Sequence, residues 1–245
     1  MNAATSPVEI LAVGAHPDDV ELGCGGLLLA MRRRGHRFVI CDLTAGEKGS
    51  RGSREIRARE ASAAAELLGA TARECLELPD TQVEATSAAV RSMVETIHRW
   101  RPKLVVSMSP DDHHPDHAAC ARIVEQAAFF SPLRKFVAGG EPHRVGRVIR
   151  YSRHAWFRPS FVVDITDVIE EKLQAARCYA SQFTRSSTGA RTPINAPTFE
   201  EDLLAFWRHH GAAVGALYAE PFAMDGVPAL PDPVAALCTE RRDIE

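Results

Sequence analysis

Short apolar runs alternate with alanine-rich or amphipathic stretches from Val8 to Phe130, and the alternation predicts strands joined by helices. Val8 to Gly14 reads as a first buried strand. An apolar helix follows from near Val20 to Arg32-Arg33-Arg34, where Gly35 after the basic residues marks its end. Phe38 to Cys41 is a second strand, and the glycine-rich loop Thr44 to Gly52 leads into an alanine-rich helix, Ser53 to Gly69, with Ser53 as its N-cap. A third strand is expected over Glu74 to Leu78 and a third helix over Ala85 to Arg101. Pro102 separates that helix from a fourth strand, Lys103 to Met108, and Ala118 to Phe130 makes a fourth helix.

Parallel neighbours need a crossover, and here each connection supplies a helix. The expected fold class is therefore α/β: a Rossmann-like three-layer αβα sandwich on a mostly parallel sheet, with strand order 3-2-1-4-5. Ligands of such sheets bind beyond the carboxyl ends of the strands where the order reverses, which here means strands one and four. Beyond residue 145 the pattern loosens. Val145 to Ser152 and Phe161 to Ile165 read as strands, Asp167 to Tyr179 and Glu200 to Val214 as helices, and Thr184 to Pro197 as a loop over the sheet edge or at an oligomer contact. With no internal repeat and no long linker, 1–245 reads as a single domain, with a core over 1–140 completed by 141–245.

The 245 residues are 45% hydrophobic and 25% charged, enough for a sizeable core, and the formal charge of −3 offers no basic field for nucleic acid or an anionic membrane. A small-molecule partner is the expectation. Cys24, Cys41, Cys75, Cys120, Cys178 and Cys238 show no Cys-x-x-Cys spacing, as in reduced thiols of a cytoplasmic protein. No signal core or membrane-length apolar run is present.

Two histidine–aspartate clusters carry the chemistry. Ala15-His16-Pro17-Asp18-Asp19 directly follows the first strand, and His114-Pro115-Asp116-His117 closely follows the fourth. Hydrolytic zinc commonly takes three nitrogen or oxygen ligands and leaves a position for water. His16, Asp19 and His117 form such a set, with Zn2+ as the expected ion and Fe2+ as the alternative. Asp18, free of the ion, becomes the candidate base for a water whose pKa the metal lowers from ~16 toward ~7. Asp116 is expected to hold the His114 ring and favour its protonated form, ready to stabilise an oxyanion or relay a proton.

Singly, Asp18, Asp19 or Asp116 would be an ordinary helix cap, but two clusters at two strand ends are poorly explained that way. His113 reads as a solvent-facing neighbour of the second cluster, and His209-His210 as a surface or interface pair. Gly23-Cys24-Gly25-Gly26 lacks dinucleotide-binding spacing and reads as close helix packing. Arg32-Arg33-Arg34 reads as a solvated helix end. Two other functions share the same residues: a non-haem iron oxygenase, and a non-catalytic sugar- or nucleotide-binding module.

Both clusters resemble the signatures of the zinc-dependent N-acetylglucosaminyl-phosphatidylinositol deacetylases and their LmbE-like relatives. The resemblance implies His16, Asp19 and His117 on the metal, Asp18 as base, and His114 with Asp116 as a supporting catalytic pair. It also matches Arg57 and Glu60 to the family's arginine-x-x-glutamate, and implies that Arg57 and Asp80 contact sugar hydroxyls. Arg134-Lys135-Phe136, Tyr179 to Phe183 and Tyr218 to Phe222 resemble the branch of bacillithiol-pathway deacetylases, which act on N-acetylglucosaminyl-malate. That branch usually has an alanine-glutamate-leucine-serine type of loop where this chain has Gly46 to Gly52. The resemblance implies hydrolysis of the N-acetyl group of an N-acetylglucosamine-type conjugate by a homo-oligomer, trimeric or hexameric.

Overall fold

The first apolar run forms β1 (Ile10–Gly14), buried along its whole length. It pairs in parallel with β2 (Phe38–Asp42) on one side and β4 (Leu104–Met108) on the other. Such strands read as continuous apolar segments because both faces of the sheet are covered. The structure is a computed structural model and describes residues 6–136, 138–152, 157–184 and 190–238.

The sheet has seven strands in the order β3-β2-β1-β4-β5-β7-β6, which contains the expected 3-2-1-4-5. β3 (Ala72–Cys75) and β5 (Arg147–Tyr151) extend the parallel part, while β7 (Ala219–Met224) and β6 (Phe161–Asp164) add an antiparallel edge. β3 begins earlier than Glu74 because Arg73, polar in sequence, is a half-buried strand residue whose guanidinium pairs with Asp42 and Glu21. It ends before Glu77, which turns the backbone out of the ladder with φ 59°. β7 was not anticipated as a strand, since Glu220 and Pro221 are poor strand formers.

Helices α1 (Asp19–Arg33), α2 (Arg54–Leu68), α3 (Ser87–Trp100) and α4 (Pro115–Phe130) occupy the predicted crossovers. Ser53 caps α2 as expected, its hydroxyl accepting from the Ile56 amide, and Gly69 ends the helix in the left-handed conformation. α5 (Ile169–Arg177), α6 (Ala180–Phe183), α7 (Phe199–Ala212) and α8 (Pro233–Leu237) follow. α1, α2 and α5 pack together, as do α3 and α4, giving the three layers.

The Gly23 to Gly26 stretch is indeed a packing device. A Cβ at Gly23 would lie 2.1 Å from the Tyr151 ring, so α1 sits closer to the sheet than any side chain would allow. Arg32 is more than a solvated end, because its guanidinium caps the Leu67 and Leu68 carbonyls at the end of α2. His210 is buried against the Phe206 ring, while His209 is exposed. Among the described residues no helix is long and apolar enough to cross a membrane.

Candidate active site

β1 and β4 lie side by side and point the same way, so the loops leaving them meet at one end of the sheet. From β1 the chain turns through Asp18, whose φ of 107° is a left-handed conformation that side chains other than glycine rarely adopt. Such a residue costs about 1–3 kcal/mol unless its surroundings hold it. Arg57 on α2 does so, donating to the Pro17 carbonyl and to the Asp18 carboxylate at 3.4 Å. Asp18 is therefore buried and does not cap α1 with its side chain. From β4 the chain reaches His114, which caps α4: its Nδ1 accepts from the Asp116 amide at 3.2 Å, and Pro115 occupies the first turn, where no amide is missed.

Three expected ligands converge. Nδ1 of His16 lies 3.5 Å from one oxygen of Asp19, and Nε2 of His117 lies 3.4 Å from the other. The His16 amide also donates to Asp19 at 2.8 Å, which fixes that carboxylate. The His114 ring stacks on His117 with centroids 4.5 Å apart and lies 5.0 Å from the His16 ring. His113 is exposed, as read from the sequence.

The opposite ring nitrogens are braced by carboxylates that the sequence did not assign to that task. Nε2 of His16 lies 3.2 Å from Asp80 and 3.2 Å from Asp116. Nδ1 of His117 lies 3.3 Å from Asp112, which also accepts from the His114 amide. Asp112 was missed altogether; its place two positions before the second cluster, in the loop after β4, was its only signal.

The expected Asp116–His114 side-chain pair does not form; Asp116 meets the His114 ring through its backbone amide. The Asp116 carboxylate faces away from His114 to His16 and accepts from the Thr81 and Val83 amides. His114 is not driven to its protonated form either. Burial, followed by the neighbouring His117 and His16, pushes its pKa below the ordinary histidine value. Asp80, expected on a sugar, has one oxygen on His16 and the other accepting from the Lys48 amide at 2.7 Å. Glu60 ties α2 to α6 by accepting from the Ser181 amide and hydroxyl.

This cluster fits a divalent cation on chemical grounds. Two imidazole nitrogens and a carboxylate face one another, and each ring carries a carboxylate at its far nitrogen, the bracing that orients metal-bound histidines. The surroundings also favour a positive charge. Burial opposes a cation at His16, yet hydrogen bonds to the carboxylates of Asp116, Asp19 and Asp80 outweigh it and hold its pKa well above the usual value. Burial likewise opposes charge on Asp19, but His117 and His16 hold its carboxyl well below the usual range. The cluster opens into a cavity of about 450 Å³ lined by His16, Asp18, Arg57 and Asp80, with Lys48 and Thr192 at other points of its wall. Of the Thr184 to Pro197 segment, 185–189 lie outside the described residues, and Thr192, Pro193 and Ile194 face this cavity rather than only the sheet edge.

The sequence over residues 11–128 matches the family model PIG-L, GlcNAc-PI de-N-acetylase. It is also 32% identical over 190 residues to diacetylchitobiose deacetylase of Thermococcus kodakarensis, spanning 71% of this chain and 70% of that protein. The chain belongs to the PIG-L family. This PIG-L protein is an enzyme, and its family reaction is hydrolysis of an amide. Its fold is that of the conserved protein TT1542 from Thermus thermophilus, with TM-score 0.84, 36% identity, and coverage of 92% of this chain and 98% of that one. It is also 28% identical over 205 residues to 4-oxalmesaconate hydratase of Pseudomonas putida, spanning 74% of this chain and 76% of that protein.

Proposed function

We propose that this enzyme is a zinc-dependent N-deacetylase acting on an N-acetylglucosamine-type conjugate, with His16, Asp19 and His117 as the residues that would hold the ion. One observation carries the reading: the three donors face one another while Asp80, Asp116 and Asp112 brace the two rings from behind. When bound, the ion supplies a Lewis acid and a water of lowered pKa.

The chain's own residues supply the rest. Asp18, adjacent to the ligand set and lining the cavity, takes the proton of the attacking water. It accepts a hydrogen bond from Arg57, which aims the carboxylate. His114 accepts at Nδ1 from the Asp116 amide, so its proton resides on Nε2. That N–H acts as a neutral donor to the oxygen on which negative charge develops. Asp18 then returns the proton taken from the water to the departing amine, which leaves poorly unprotonated. Asp116 serves through His16, while Arg57 and Asp80 offer the sugar hydroxyls their remaining donors and acceptors. The free cysteines suit a reducing, cytoplasmic setting, in which the chain works as a homo-oligomer.

The test is a panel of N-acetylglucosaminyl conjugates incubated with zinc-loaded protein, with detection of free amine and Asp18→Asn as control. Amine release that the variant lowers at least a hundredfold supports the reading. No release from any conjugate, together with turnover of 4-oxalmesaconate, would assign the chain to the hydratase side of its relatives.

A further inference from the structure

The second turn of α1 takes no part in the cavity, yet a buried ion pair from the C-terminal part of the chain is built into it. Lys172 on α5 and Glu220 on β7 are fully buried and joined at 2.5 Å. Lys172 Nζ also donates to the Glu21 and Leu22 carbonyls, each at 2.9 Å, and lies 4.3 Å from the centre of the Trp207 ring. The Glu220 carboxylate accepts from the Gly26 and Leu27 amides at 2.8 and 2.7 Å. In an uninterrupted helix the amide of residue 26 pairs with the carbonyl of residue 22, so the ion pair engages both ends of one rung of α1. Glycine makes the room: a Cβ at Gly26 would lie 2.5 Å from Ile165 and 2.8 Å from Glu220.

Overall stability does not account for this arrangement, because replacing a buried ion pair by apolar residues is often neutral or stabilising. Its location does. Leu22 gives its carbonyl to Lys172 and its amide to the Asp18 carbonyl, at 3.0 Å. Glu21 gives its carbonyl to Lys172 and its carboxylate to Arg73 and Tyr179. The ion pair is thus one residue removed, through Leu22, from the turn that presents Asp18 and Asp19.

We propose that Lys172 and Glu220 are positioning residues for the active site, holding the first turn of α1 so that Asp19 meets both histidines and Asp18 keeps its left-handed turn. The inference rests on the metal reading of His16, Asp19 and His117. A glycine-rich helix is easily bent, and two ions gripping one rung fix its direction more firmly than apolar packing, which is not directional.

The test compares wild type, the Lys172→Met/Glu220→Gln double variant and Asp19→Asn by competition titration of Zn2+ against a chromophoric chelator. The Co2+ absorption spectrum and thermal unfolding of each metal-free protein are recorded alongside. The double variant has no unpaired buried charge, so it should unfold near the wild-type temperature yet bind Zn2+ about tenfold more weakly, with an altered Co2+ spectrum and lowered kcat at unchanged KM. Wild-type affinity and spectrum in the folded double variant overturn the proposal. If that variant does not fold, Lys172→Gln/Glu220→Gln, which also leaves no unpaired buried charge, is titrated under the same criterion. Asp19→Asn binding Zn2+ like wild type defeats the metal reading itself, a result separate from either outcome for the ion pair.

Discussion

Oδ2 of Asp116 lies 3.2 Å from Nε2 of His16, although 100 residues separate the two in sequence. The carboxylate also accepts from the Thr81 and Val83 amides, so one side chain joins both clusters and the loop after β3. Asp116→Ala should therefore weaken zinc binding about 10- to 100-fold by leaving the His16 ring unbraced. Chelator competition measures this directly; an unchanged affinity would remove Asp116 from the bracing role.

Metal binding should release a proton. The carboxylates around His16 outweigh its burial and raise its pKa, so the metal-free protein holds a proton there at neutral pH. Proton and ion compete, and zinc affinity accordingly rises about tenfold per pH unit until the raised pKa is passed. Without metal the same group stabilises the fold fully below the unfolded-state pKa and loses that contribution as pH rises through the folded-state value. Calorimetric titration in buffers of different ionisation heat counts the released proton, and affinity that is flat between about pH 6 and pH 8 contradicts the expectation.

Asp18 and Arg57 should fail together. Asp18→Asn removes the base and should lower kcat about 10²- to 10⁴-fold while zinc stays bound. Arg57→Ala frees the strained Asp18 turn and should lower kcat as well, whereas the double variant should be little worse than Asp18→Asn alone. Fully multiplicative losses in a double-mutant cycle would show that the two side chains act independently.

Adjacent glycines of α1 should respond with opposite signs. Gly25 has nothing nearer than 3.7 Å to an added Cβ, so Gly25→Ala should stabilise by up to about 1 kcal/mol through helix propensity. Gly26→Ala drives a methyl into Ile165 and Glu220 and should destabilise by about 1–3 kcal/mol. Chemical denaturation of the metal-free proteins reads both changes, and equal effects would contradict the packing described for α1.

Much of the fold was legible because it follows from short-range patterns. Buried parallel strands must be apolar throughout, and Val8 to Gly14 or Lys103 to Met108 announce themselves for that reason. The misread strands are those whose polar residues are satisfied by distant partners: Arg73 by Asp42 and Glu21, and Glu220 by Lys172. The clusters were legible because histidines and aspartates stand together in sequence shortly after strand ends. Asp112 was not, since an aspartate of the Pro110-Asp111-Asp112 stretch looks like any turn residue.

By itself the chain's sequence determined the elements from β1 to α4, the order of the first five strands in the sheet, and the loops from which His16, Asp19 and His117 come. Only the tertiary structure decided that Asp116 braces His16 instead of His114, that Asp112 stands behind His117, and that Lys172 and Glu220 grip α1. Secondary structure and strand order answer to periodicities carried within a few residues. A hydrogen bond between side chains answers to distances of about 3 Å, and these are set when elements far apart in sequence pack against one another.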